Sequence, residues 1–79
     1  MHYHYEDLDD SAIISLAQLH FNRFNQAWLI VMRNHYQSGV YIDACAKMTS
    51  EYSIIGKLER YIYNSRPSTV YDTFKALNI

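Results

Sequence analysis

Apolar residues recur at helical spacing through the first half of this chain. Ile13, Leu16, Ala17, His20, Phe24, Ala27, Trp28, Val31 and His35 fall on one side of a helix that turns once in about 3.6 residues. Ile14, Phe21, Leu29, Ile30 and Met32 widen that stripe until little is polar around Trp28. A helix apolar nearly all round needs cover on several sides. The pattern therefore predicts a long helix over 11–36, about 39 Å at 1.5 Å per residue, with either a central place in the fold or a partner chain against it. Asp9, Asp10 and Ser11 supply capping groups at its start, and Asn22 and Asn25 mark a place where it could divide.

Gln37-Ser38-Gly39 predicts the end of that helix, with Gly39 as a left-handed cap. A second helix is predicted over 40–48, with Tyr41, Ala44, Cys45 and Met48 on one side. Thr49-Ser50 reads either as a turn or as a polar spot within one longer helix. A third stretch, 51–63, carries Ile54, Ile55, Leu58, Tyr61 and Ile62. Asn64-Ser65-Arg66-Pro67 stops it. Ser68 or Thr69 is expected to cap a last short helix with Val70, Phe74 and Leu77 facing inward, Asp72 forming a capping box with Thr69. Two glycines and one proline leave few breaks, which favours helices over a sheet. The expected fold is all-α: one domain, 1–79, of three to five helices built around a long, largely apolar N-terminal helix, with 1–9 as an extended or flexible acidic arm.

Size changes this picture. A chain of 79 residues buries only about 60–65% of the surface its unfolded form exposes. Disulfides, a metal or self-association usually make up the difference. Cys45 is the only cysteine, so no bridge can form within the chain, and an unpaired thiol points to a reducing compartment. A homodimer is expected. No leader pattern or membrane-length apolar run stands in the sequence, and a cytoplasmic location is expected. Charge is uneven: Glu6, Asp7, Asp9 and Asp10 make an acidic head, followed by a body with seven basic and four acidic residues. A sequence pI near 6.4 is far from that of proteins that coat nucleic acid.

Candidate chemistry is sparse. Cys45 lies between Ala44 and Ala46 on an apolar face, where buried, inert cysteines sit. His2, His4, His20 and His35 lack the paired Cys/His spacing of structural zinc sites. Gly39 and Gly56 stand alone, so no phosphate loop is present. No catalytic residue, cofactor or metal is expected.

One stretch carries a motif. Within 44–60, Cys45 supplies a small residue in a first helix, Met48 an apolar residue before a turn, and Ile55 and Leu58 the apolar positions of a second helix, ending in Gly56-Lys57-Leu58-Glu59-Arg60. This resembles the helix-turn-helix of phage-repressor-like regulators, departing from it at Thr49, where that family has glycine, and at Ser50, where it has an apolar residue. The resemblance implies DNA binding through Lys57 and its neighbours.

Eight Tyr, three Phe and one Trp are many for so small a body. Tyr and Arg dominate the residues that anchor protein interfaces. Tyr52, Arg60, Tyr61, Tyr63, Arg66 and Tyr71 are the expected partner-binding residues, and Phe24, Trp28 and Val31 are expected in self-association or in the core. The expected function is a small, non-enzymatic regulatory protein that binds another protein, of the inhibitor or antirepressor type found in phages and mobile elements, with a transcription repressor as one partner of that kind. A DNA-binding regulator is the alternative, and a dimeric structural subunit a third reading.

Overall fold

Asp9 opens the first helix. Its carboxylate accepts the Ala12 backbone N–H at 2.7 Å, satisfying one of the free donors of the first turn. In this computed structural model, which describes residues 4–77, helix α1 then runs unbroken over Asp10–Arg33, through Asn22 and Asn25. Asn34 leaves helical geometry, its side-chain amide donating to the Ile30 carbonyl at 2.7 Å. The chain reverses through Gln37, whose φ of 100° lies in the left-handed region that ordinary residues avoid. Ser38 then accepts the Tyr41 N–H at 3.1 Å and caps helix α2, Gly39–Ser65. Gly39 is thus not a left-handed cap. It is the first residue of α2, because Ser38 takes the capping role and the reversal falls at Gln37.

Helix α2 is continuous over 27 residues. Thr49 and Ser50 lie in mid-helix, and the Thr49 hydroxyl donates back to the Cys45 carbonyl at 3.1 Å, satisfying itself without leaving the helix. Of the two readings of Thr49-Ser50, the polar spot within one longer helix is the one found: 40–48 and 51–63 belong to one helix, and 44–60 does not form a helix-turn-helix. Arg66 is extended, as a residue before proline must be (φ −125°, ψ 161°). Helix α3, Ser68–Ala76, starts from Pro67 without a side-chain cap. The expected Thr69–Asp72 box is absent: Ser68 and Thr69 are already helical, and the Thr69 carbonyl accepts the Thr73 hydroxyl at 3.0 Å.

The described residues are helical, with no strand. α1 and α2 form an antiparallel hairpin, and α3 folds back over one end of it. The core is at that end, which we call proximal: Ile13, Ala17 and Phe21 of α1, Leu58 and Ile62 of α2, Val70 and Phe74 of α3. Toward the connecting turn, the distal end, the buried residues are the small Ala27 and Ala44. The segment around Trp28 is not the centre of the fold. Trp28 is 45% exposed, and Leu29, Ile30 and Met32 are exposed with it, because no third helix reaches that far. Trp28 is thus not a core residue of the single chain, while Phe24 and Val31 are half-buried. Residues 4–9 are not an extended arm either. Tyr5–Asp7 form a 3-10 turn, and Tyr5 and Leu8 pack on the core. Residues 1–3 of the expected arm lie outside the described residues.

Candidate interaction surfaces

Arg66 fastens the proximal end. It sits in the turn between α2 and α3 with only 12% of its side chain exposed. Its guanidinium donates to the Asp10 carboxylate at 2.7 Å, to the Tyr5 and Leu8 carbonyls at 2.8 and 2.5 Å, and to the Tyr61 hydroxyl at 3.1 and 3.2 Å. The Asp10 bond above all, with the Tyr61 hydroxyl, holds the guanidinium pKa above its ordinary value. Tyr61 packs against Tyr5 with ring centres 5.3 Å apart. Arg66 and Tyr61, expected at a partner interface, are thus spent inside the chain, tying the N-terminal turn to the end of α2. A planar fork able to donate in several directions suits that task. Sequence spacing gave no sign of it, since Asp10, Tyr5 and Leu8 lie 56 to 61 positions away.

Tyr63, Arg60 and Tyr71 stay together at the surface. Tyr63 is 70% exposed and meets Tyr71 edge-on, ring centres 5.2 Å apart. With Glu59 and Asn64 they line a shallow depression where α2 faces α3. Tyr71 is fixed from behind: its hydroxyl donates to Glu59 at 3.1 Å, and Lys75 reaches the same carboxylate at 3.6 Å. The bond to Glu59 holds the Tyr71 phenol above its ordinary pKa. In the sequence Glu59 stood out only within the Gly56–Arg60 run and Lys75 not at all, although Glu59 stands one helical turn before Tyr63.

Tyr52 lies elsewhere, against Phe24 of α1 at 6.3 Å between ring centres. These two, with Phe21, Ile55, Gly56 and Glu59, line a groove of about 220 Å³ between the helices. The opposite side of the hairpin is polar. There, buried His20 donates from its ring to Glu51 at 2.5 Å, and Arg23 stands 4.0 Å from the same carboxylate, with Lys47 lining the depression beside it. The Glu51 carboxylate matches Nδ1 of the buried His20. His35 is exposed, and among the described residues no three His, Cys, Asp or Glu side chains gather as metal ligands. No described helix is long and apolar enough to cross a membrane.

No family model, curated protein or solved structure matches this chain.

Proposed function

We propose that this protein is a non-enzymatic regulator that acts by binding another protein through the Arg60–Tyr63–Tyr71 edge. One observation carries the reading. Tyr63 presents most of its ring to solvent yet is braced edge-on by Tyr71, which Glu59 and Lys75 hold in turn. A large side chain held in place before binding loses little conformational entropy on docking, and an Arg beside it completes the pair of residue types that most often anchor interfaces. An inhibitor or antirepressor, which works by occupying a larger protein, is the form of regulator we favour. Glu6 and Asp7 are exposed at the proximal end and would favour a partner with a basic surface, such as a repressor's DNA-reading face.

The test is capture from the native host with the wild-type chain, Tyr63→Ala and Arg60→Ala in parallel, followed by affinity measurement on the recovered partner. We expect a protein whose binding falls by about 2 kcal/mol or more in at least one variant, with little dependence on salt. Binding that is untouched by both substitutions would overturn the proposal. So would recovery of nucleic acid whose affinity drops steeply with salt.

A further inference from the structure

The groove between Phe24 and Tyr52 is the start of a longer feature. Phe24, Trp28, Val31 and Met32 stand at i, i+4, i+7 and i+8 on α1, and Tyr41, Cys45, Met48, Tyr52 and Ile55 at i, i+4, i+7, i+11 and i+14 on α2. Each set is one helical stripe. The Phe24–Tyr52 contact puts the two stripes on the same side of the hairpin. Neither contains a charged residue. Arg23, Lys47 and Glu51 line the opposite side.

Helix α3 occupies this uncharged side, but only at the proximal end. Phe74 of α3 packs on Phe21 at 5.4 Å, and Tyr71 and Lys75 hold Glu59, so α3 bounds the groove where Phe21 and Glu59 line it. Nine residues of α3 make about 13 Å of helix, against about 40 Å for α2. Beyond α3 the same side runs on uncovered, with Trp28 45%, Met32 63% and Tyr52 70% exposed. The missing layer shows in the dimensions too. The molecule measures 43 × 28 × 16 Å, and its radius of gyration of 14.2 Å exceeds the roughly 12 Å of a compact chain this long.

We infer that a second copy of this chain covers that face, the uncharged sides of two hairpins meeting about a two-fold axis to give a four-helix arrangement with Trp28 in its interior. Two properties single out a second copy. First, on a two-fold interface the residues next to the axis lie against their own counterparts, so a charge there would meet its like. A stripe of uncharged residues fits that condition, and it offers a foreign partner no charge to recognise. Second, the area fits. Phe24, Trp28, Met32, Tyr36, Tyr41 and Tyr52, with the flanking Leu29 and Ile42, leave on the order of 100 Å² each. That comes to about the 800 Å² per partner of an ordinary stable interface. Gly56 adds a detail. It lies inside α2, where glycine weakens a helix relative to alanine, yet a Cβ built there meets nothing within 4 Å, so the chain's own packing does not require its absence. It lines the groove, where a missing side chain lets another helix approach.

The experiment is sedimentation equilibrium on the full chain across the micromolar range, with Trp28 fluorescence followed in parallel. We expect the mass to rise from 9.4 kDa to twice that value, and the tryptophan emission to shift to the blue as the ring leaves water. Trp28→Glu and Tyr52→Glu should weaken self-association by about thirtyfold or more. Both side chains are exposed in the single chain, so helix content by circular dichroism should hold. Gln26→Glu, on the opposite side, should leave the dimer intact. A wild-type chain that stays at 9.4 kDa at high micromolar concentration would overturn the inference. A dimer that survives Trp28→Glu and Tyr52→Glu but is lost on Gln26→Glu would overturn it as well. Self-association is read without any partner present, and Tyr63→Ala should leave it unchanged, so this outcome is separate from that of the partner-binding test.

Discussion

The proximal and distal halves of the hairpin are built from the same two helices and behave as different materials. At the proximal end three helices and the N-terminal turn converge, and Ile13, Leu58 and Ile62 lose all contact with solvent. At the distal end only two helices meet, and two cylinders in contact bury little more than the line between them. Alanines fill that line at Ala27 and Ala44, while Trp28, Met32, Val40 and Ile42 remain open. Composition does not explain the difference, since large apolar side chains stand in both halves. Burial depends on how many elements surround a position, and the third element ends with α3.

This comparison is broken most easily in the core. Leu58→Ala removes a side chain that is fully enclosed and should cost about 2–5 kcal/mol, a large share of the stability of a small domain. Trp28→Ala, a larger truncation, should cost the single chain much less, because half the ring is already in water. Its effect on the melting temperature should grow with protein concentration as the dimer contributes. Thermal melts of both variants at two concentrations check this. A loss for Trp28→Ala as large as that for Leu58→Ala, and equal at both concentrations, would mean that Trp28 is part of the monomer core and that the two ends do not differ as described.

A smaller effect sharpens the same contrast. Gly56→Ala should raise monomer stability by about 0.5–1 kcal/mol, since a Cβ there clashes with nothing in the chain. The same change should weaken self-association, because the methyl group projects into the groove. A variant more stable at low concentration and less associated at high concentration is the expected pair of results, read from chemical denaturation and sedimentation.

The smallest effect is one of pH. The Tyr71 phenol, its proton shared with Glu59, is raised in the folded chain. The group therefore contributes stability that is fully present below its ordinary value near 10 and is lost as pH rises through the raised folded value. Alkaline titration should loosen α3 before the distal hairpin, and Tyr71→Phe should remove that component. Tyrosinate absorbance followed alongside helix content would show it, and an unchanged alkaline profile in the variant would contradict the role given to Glu59.

Some of this was legible in the residues. The 3.6-residue period of Ile13, Ala17, Phe24 and Ala27 reported α1, and the period of Ile54, Ile55, Leu58 and Ile62 reported the inner face of α2, because local geometry repeats along the chain. Pro67 marked a helix boundary for the same reason. Thr49-Ser50 was ambiguous, since polar residues that favour turns are also satisfied inside a helix by bonding a carbonyl one turn back. Ser38 and Gly39 competed for one turn, and only the backbone path showed that Ser38 caps α2 while Gln37 makes the reversal.

The sequence by itself determined that this protein is helical and where most of its helices lie, along with their apolar stripes and the surplus of apolar surface around Trp28, because these follow from residue type and spacing. Which side chains would be spent holding the chain together was decided by tertiary structure alone. Arg66 and Tyr61 look no different in sequence from Arg60 and Tyr63. The first pair is enclosed because the N-terminal turn folds over it, through contacts 56 to 61 residues apart, and the second pair is open because nothing does. Trp28 was decided in the same way: its spacing fixed the face it shares with Phe24, and the length of α3 left that face uncovered.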